Sequence, residues 1–249
     1  MPESGGVQSL DRAIDLLEIL TDLGGDAGLS ELASRSGLAL PTIHRLLRTL
    51  VNRGYVRQLP SRRYTLGPRV VRLGEAAGRQ LGVGTKPHLE RLAHELGESV
   101  NLAILDGDMV VYVAQAASTR SMRMFTEVGR RVHCHSTGVG KMVLAQLADD
   151  DVHKIIASAG LPPATEHSIT DIEALFAELD SIRKRGHAVD DGEQEIGVRC
   201  FAVPVSGTPT PAALSVSGPA VRVTDEFGER AVPLLCETAA TIGEFLSVG

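Results

Sequence analysis

The chain runs to 249 residues, beyond the ~150 of a usual single domain, so two domains are expected, each able to bury a core of its own. Three cysteines (Cys134, Cys200 and Cys236), odd in number and far apart, argue against a disulfide framework and for a reducing cytoplasm. No apolar run approaches ~18 residues, and the opening MPESGGVQSL lacks a basic, apolar signal pattern, so neither membrane spanning nor secretion is expected.

The net charge of −6 conceals an asymmetry: between Leu29 and Arg72 nine arginines stand against the single acid Glu31, a balance of +8, and the acidic excess lies on either side. Basic charge so concentrated is the footprint of a DNA-binding segment, and the low overall charge says nothing against it. Met1 to Gly6 reads as a disordered leader. Leu10, Ala13, Ile14, Leu17 and Leu20 then recur at helical spacing up to Gly24-Gly25 and predict a helix that buttresses the recognition pair of helices after it.

Ser30 is placed to cap a short helix over Glu31 to Ser36, closed by Gly37. After a tight turn, Pro41 sets the first turn of a second helix, in which Ile43, Leu46, Leu47, Leu50 and Val51 form one apolar face. The opposite face carries Thr42, Arg45, Arg48, Thr49 and Asn52, all able to donate to phosphate or base edges and none acidic, as a helix in the major groove requires. Beyond Gly54, Tyr55 to Arg57 and Tyr64 to Leu66 flank the turn Pro60-Ser61-Arg62-Arg63, a basic-tipped hairpin like the wing of a winged helix-turn-helix. A solvated arginine-rich helical hairpin with no partner is the alternative to the whole DNA-binding reading. The candidate DNA contacts are Ser30, Thr42, His44, Arg45, Arg48, Thr49, Arg62 and Arg63, although a plain surface role is the default for His44.

Gly67 to Gly82 reads as a helical connector whose small residues make it a candidate dimer contact, with a flexible linker as the alternative. The second domain opens with a helix over Lys86 to Leu96 stopped by Gly97. A hairpin comes next, Val100 to Leu105 and Met109 to Ala114 about the turn Asp106-Gly107-Asp108. Helices are predicted over Gly138 to Leu147, Asp150 to Ala159 and Asp171 to Arg185, the last behind a Thr170/Glu173 capping box. Strands are expected at Ala188, Cys200 to Val205 and Ala212 to Ser217, and a closing helix over Asp225 to Leu246. This mixture indicates an α+β fold.

Two segments of the second domain interrupt apolar sequence with polar groups. In His133-Cys134-His135-Ser136-Thr137-Gly138-Val139-Gly140-Lys141 a strand gives way to a helix whose first N–H groups suit an anion; a turn needed only for packing is the alternative. The acidic loop Asp190 to Glu195 leads into the strand of Cys200; its four acids could bind a metal, but Asp191 and Glu193 are expected to face water. Ser215 and Ser217, two apart on one strand, project to the same face. Both hydroxyls could therefore reach a single ligand. His133, Cys134, His135 and Cys200 are permissible zinc ligands but lack the spacing that completes a tetrahedral site. No nucleophile elbow, phosphate loop or cofactor fingerprint is present, so neither catalysis nor a cofactor or metal is expected.

The opening VQSLDRAIDLLEIL, the helix-turn-helix SELASRSGL…PTIHRLLRTLVNRGYV, the wing exit YTLG, the turn HSTGVGK and the late GVRCFAVPV…ALSVSGP resemble the IclR-type bacterial transcriptional regulators over nearly the whole chain. The chain departs from the family pattern at Leu40-Pro41. The resemblance implies a winged helix-turn-helix DNA-binding domain (residues 1–66), a linker helix (67–83) and a GAF-like α+β effector-binding domain (84–249). It further implies a cytoplasmic homodimer or homotetramer that binds double-stranded operator DNA, a pseudo-palindrome, and regulates a catabolic operon in response to a small metabolite. It carries the effector site onto Met122, Gly138, Val139, Asp190, Cys200, Ser215 and Ser217; with a carboxylate at Gly138 and Val139, hydroxyls from Ser215 and Ser217, Asp190 at the far end and Cys200 between, that set would suit a small monocarboxylate with a polar, uncharged end. An enzyme acting on a small oxo-acid, with the winged helix as an interaction module, is the second reading.

Overall fold

A computed structural model describes residues 7–81, 83–123 and 126–247. It divides into two units, Met1–Ala77 and Gly78–Gly249. Helix α4 (Pro68–Leu81) carries the chain from one to the other.

The first unit holds helices α1 (Gln8–Asp22), α2 (Leu29–Ser36) and α3 (Leu40–Asn52), with strands β1 (Asp26–Ala27), β2 (Val56–Gln58) and β3 (Tyr64–Leu66) in an antiparallel sheet of order β1-β3-β2. The apolar spacing read from the sequence is the spacing of its core: Leu16 and Leu20 of α1, Leu32 of α2, and Ile43 and Leu47 of α3 are fully buried. Val56 and Tyr64 close it from the wing side. Gly37 ends α2 in the left-handed region at φ +67°, as its position predicts.

The expected cap at Ser30 is corrected: α2 starts at Leu29 behind Gly28, whose N–H donates to the Glu31 carboxylate at 2.7 Å, leaving Ser30 exposed within the first turn. A carboxylate reaching back to the preceding N–H does the work expected of a serine hydroxyl. Gly67, at the wing exit, is irreplaceable by any larger residue, because a Cβ there would collide with the Gly54 carbonyl.

The second unit contains α5 (Lys86–Leu96), β4 (Ser99–Asp106), β5 (Met109–Ala116), β6 (Arg131–His133), α6 (Gly138–Ala145), α7 (Asp149–Ala159), α8 (Ile172–Arg185), β7 (Ala188–Asp191), β8 (Val198–Val205), β9 (Ala212–Pro219) and α9 (Asp225–Ser247). The six strands form one antiparallel sheet of order β6-β5-β4-β9-β8-β7. One face, with Val100, Leu102, Phe201, Leu214 and Val216, packs against α5 and α9. The other, with Ala103, Ala202 and Ala213, lies under α6, with α7 and α8 in the same cluster. This is the α+β architecture the sequence predicts. The α8 cap is shifted by one residue from expectation: Asp171, not Thr170, accepts from the Ala174 N–H at 2.8 Å. Among the described residues no helix is long and apolar enough to cross a membrane.

Candidate functional site

Two groups of residues stand out, one in each unit. On α3 the core-facing side chains hold the helix by one side, which leaves His44, Arg45, Arg48 and Thr49 exposed and Thr42 half-buried on the other. No acid lies on this helix, and neither Arg45 nor Arg48 pairs with one among the described residues. The Thr49 hydroxyl donates to the Arg45 carbonyl at 3.1 Å and keeps its lone pairs available as an acceptor.

The two wing arginines separate. Arg62 stands at the tip, exposed and in the left-handed region at φ +63°, with its guanidinium in solvent. Arg63 turns inward instead: it is ion-paired to Asp26 and, at 2.9 Å, to Glu31, and donates to the Asp26 carbonyl at 3.2 Å. The Gly28 N–H first, and Arg63 second, hold the Glu31 carboxyl below its usual range. Arg62 and Arg63, both expected to reach DNA, thus differ in setting: the Arg63 guanidinium, its side chain still 40% exposed, ties the wing to β1 and the start of α2. The sequence signal was there in Asp26, which opens a strand too short to recognise, and in Glu31 of the helix after it.

In the second unit, α6 begins with Thr137 as its cap, the Thr137 hydroxyl oxygen accepting from the Gly140 N–H at 3.1 Å. The N–H groups of Gly138 and Val139 come before the first helical bond, from the Lys141 N–H to the Thr137 carbonyl, and have no partner within the helix. Both glycines also have a packing reason. A Cβ on Gly138 would lie 2.9 Å from the Cys200 Sγ, and one on Gly140 would strike the Cys134 backbone.

The strand register then gathers the other candidates. Cys200 pairs with Asp190 on one side and Ser217 on the other, and Ser215 pairs with Ala202. All project to the α6 face, and all are buried, Ser215 to 1% exposure and Asp190 to 5%. Asp190 accepts from the Glu193 N–H at 2.8 Å, yet burial, with the Glu193 charge adding to it, raises its pKa to about 7. Burial likewise pushes the Cys200 thiol up to about 12, so it stays protonated and makes a poor nucleophile.

Met122 does not join this group: its side chain is 68% exposed, and its carbonyl accepts from Arg222, which pairs with the buried Glu98. Glu193 is corrected in the other direction. Expected in water, it is 8% exposed and ion-paired with Lys141, itself 1% exposed and 3.6 Å from Glu178. A lysine inside a helix whose every residue is buried requires such a partner. Sequence reasoning also missed Asn101, 2% exposed, whose Nδ2 donates to the Ser217 hydroxyl at 3.1 Å. The rings of His133 and His135 lie 5.5 Å apart, His135 Nε2 being 3.1 Å from the Pro162 carbonyl. No group of three or more potential metal ligands forms among the described residues.

Comparison with known proteins assigns both units. Residues 9–60 match the IclR helix-turn-helix domain, and residues 78–244 match the C-terminal domain of the bacterial transcriptional regulator IclR. The chain is 37% identical over 228 residues to the HTH-type transcriptional regulator BhcR of Paracoccus denitrificans, covering 90% of this chain and 81% of that protein. It is 35% identical over 253 residues to the transcriptional repressor IclR of Escherichia coli, covering 97% and 92%. The crystal structure of the Thermotoga maritima IclR superposes with a TM-score of 0.81 at 30% identity, over 96% of this chain and 99% of that one. The family is one of ligand-responsive transcriptional regulators rather than enzymes, so the oxo-acid enzyme is not the favoured reading. The chain belongs to the IclR family of bacterial transcriptional regulators, with an N-terminal helix-turn-helix for DNA and a C-terminal domain for an effector.

Proposed function

We propose that this regulator reads operator DNA with the exposed face of α3, through Arg45, Arg48, Thr42, His44 and Thr49, while Arg62 at the wing tip contacts phosphate. The observation that carries this reading is the division of α3 into a buried apolar side and an exposed, acid-free side. Arginine forks match guanine edges and phosphates, whereas an interaction-only winged helix needs no arginine there. The operator is a pseudo-palindrome and the protein binds it as a homodimer or a pair of dimers, because one winged helix contacts too few base pairs for specificity. In support, Leu10 and Ile14, a turn apart on α1, are 58% and 46% exposed, and Val71 and Leu73 of α4 are 63% and 55% exposed. Apolar surface of that kind fits a second copy of the same chain. Fluorescence anisotropy with operator duplexes at several salt concentrations tests the DNA reading.

The effector is a small monocarboxylate held on the α6 face of the large sheet, its carboxylate at the N–H groups of Gly138 and Val139 and its remainder against Cys200, Ser215, Ser217 and Asp190. A thermal-shift screen tests this, since a ligand at 100 times its dissociation constant stabilises by about 2.7 kcal/mol. Loss of the response in Ser215→Ala with Ser217→Ala is the expected control. Such a regulator works in the cytoplasm on the genes of a catabolic operon, and those genes are the first place to look for its effector.

A further inference from the structure

Asn101 is the member of the sheet-face group whose hydrogen bonding is half complete. On β4 its neighbours Val100 and Leu102 enter the core beneath α5 and α9, so Asn101 projects to the opposite face. Its register partners there are Ser215 on β9 and Gln115 on β5. Nδ2 donates to the Ser217 hydroxyl, but Oδ1 is buried with no partner among the described residues. Exchanging the amide nitrogen and oxygen does not cure this: Oδ1 then accepts from the Ser217 hydroxyl and Nδ2 is left alone. Across the strand pair, the Gln115 Nε2 is also buried without a partner. Other inward positions of this face are plain alanines, Ala103, Ala202 and Ala213, so packing alone does not demand a carboxamide at position 101.

We propose that Asn101 is a specificity residue of the effector site, its Oδ1 accepting a hydrogen bond from a hydroxyl on the ligand. The preferred effector is then a hydroxy acid, or an oxo acid in its hydrated form, rather than the matching acid without the hydroxyl. This rests on the carboxylate-effector reading above and adds the ligand's second polar group to it. The physical reason is the asymmetry of buried hydrogen bonds: a ligand lacking the donor leaves Oδ1 desolvated and unpaired, whereas one that supplies it removes that cost. Ser217 is fixed by its bond to the same carboxamide, so Asn101 also orients a hydroxyl already placed in the site.

The test is isothermal titration of the full-length protein with matched pairs of acids: glycolate and acetate, lactate and propionate, 4-hydroxybenzoate and benzoate. The wild type is expected to bind the hydroxylated member of at least one pair roughly tenfold to a hundredfold more tightly. Asn101→Ala should bring that ratio close to one by weakening the hydroxy acid far more than its partner. Asn101→Ser, too short to reach the ligand, should do the same and serves if the alanine variant does not fold. Carboxylates that bind the wild type with no preference for the hydroxyl overturn the role of Asn101 and leave the effector site standing. Variants that keep the wild-type ratio overturn it equally. A wild type that binds no acid of the panel overturns the carboxylate-effector reading, and this inference with it.

Discussion

Replacing Asp190 by asparagine isolates a single titration. In the folded protein, burial and the neighbouring Glu193 charge raise the Asp190 pKa from 3.8 to about 7. The native state therefore holds this proton more tightly than the unfolded chain does. For an acid with a raised folded pKa, the contribution to stability is complete below the unfolded value and is lost as pH rises through the folded one. The window is thus about pH 4 to 7, and at 1.36 kcal/mol per pH unit the loss is bounded at roughly 4 kcal/mol. The asparagine keeps an oxygen that accepts from the Glu193 and Gln194 N–H groups and carries no charge at any pH. Urea unfolding at pH 4.5, 6 and 8 should show the wild type losing stability relative to Asp190→Asn as pH rises. His135 and His187, whose pKa values are lowered chiefly by burial, weaken both proteins toward acid and cancel in the difference. A difference that stays flat across this range refutes the buried, proton-binding Asp190.

The same geometry sets further expectations. Arg45→Ala or Arg48→Ala should lower affinity for the specific operator by about 1–3 kcal/mol, read by anisotropy. Arg62→Ala should weaken binding to all duplexes alike and reduce the salt slope by about one, because a phosphate contact acts through counterion release. Arg63→Ala should leave that slope unchanged and lower the melting temperature of the DNA-binding unit, since its guanidinium is engaged with Asp26 and Glu31; a slope that falls as it does for Arg62 returns Arg63 to the DNA. Gly140→Ala drives a methyl into the Cys134 backbone and should cost the second unit about 1–3 kcal/mol by chemical denaturation. An unaffected midpoint means the turn has room that its geometry denies.

Much of the fold was legible in the sequence because local chemistry agreed with it. The α3 stripe Ile43, Leu46 and Leu47, the left-handed stops at Gly37 and Gly97, and the Gly107 turn are decided by neighbours a few residues away. What escaped depends on partners far along the chain. Glu193 is buried because Lys141, 52 residues earlier, needs an anion inside α6. Asn101 joins the site because β9 returns beside β4 and puts Ser217 within reach, 116 residues later. Arg63 meets its partner in the same way, since Asp26 pairs with it across 37 residues. Hydrophobic period and turn residues foretell which face a side chain takes; they do not say which charge or amide it will meet there.

The central claim, that the arginine face of α3 gives this chain its DNA specificity, is tested most directly by selecting bound duplexes from a random library. The wild type and the Arg45→Ala/Arg48→Ala double variant would be run side by side. The wild type should enrich one pseudo-palindrome with half-sites a whole number of helical turns, each ~10 base pairs, apart. The double variant, which keeps the α3 core and the wing, should enrich none. Enrichment of the same sequence by both proteins, or of no common sequence by the wild type, would contradict the account.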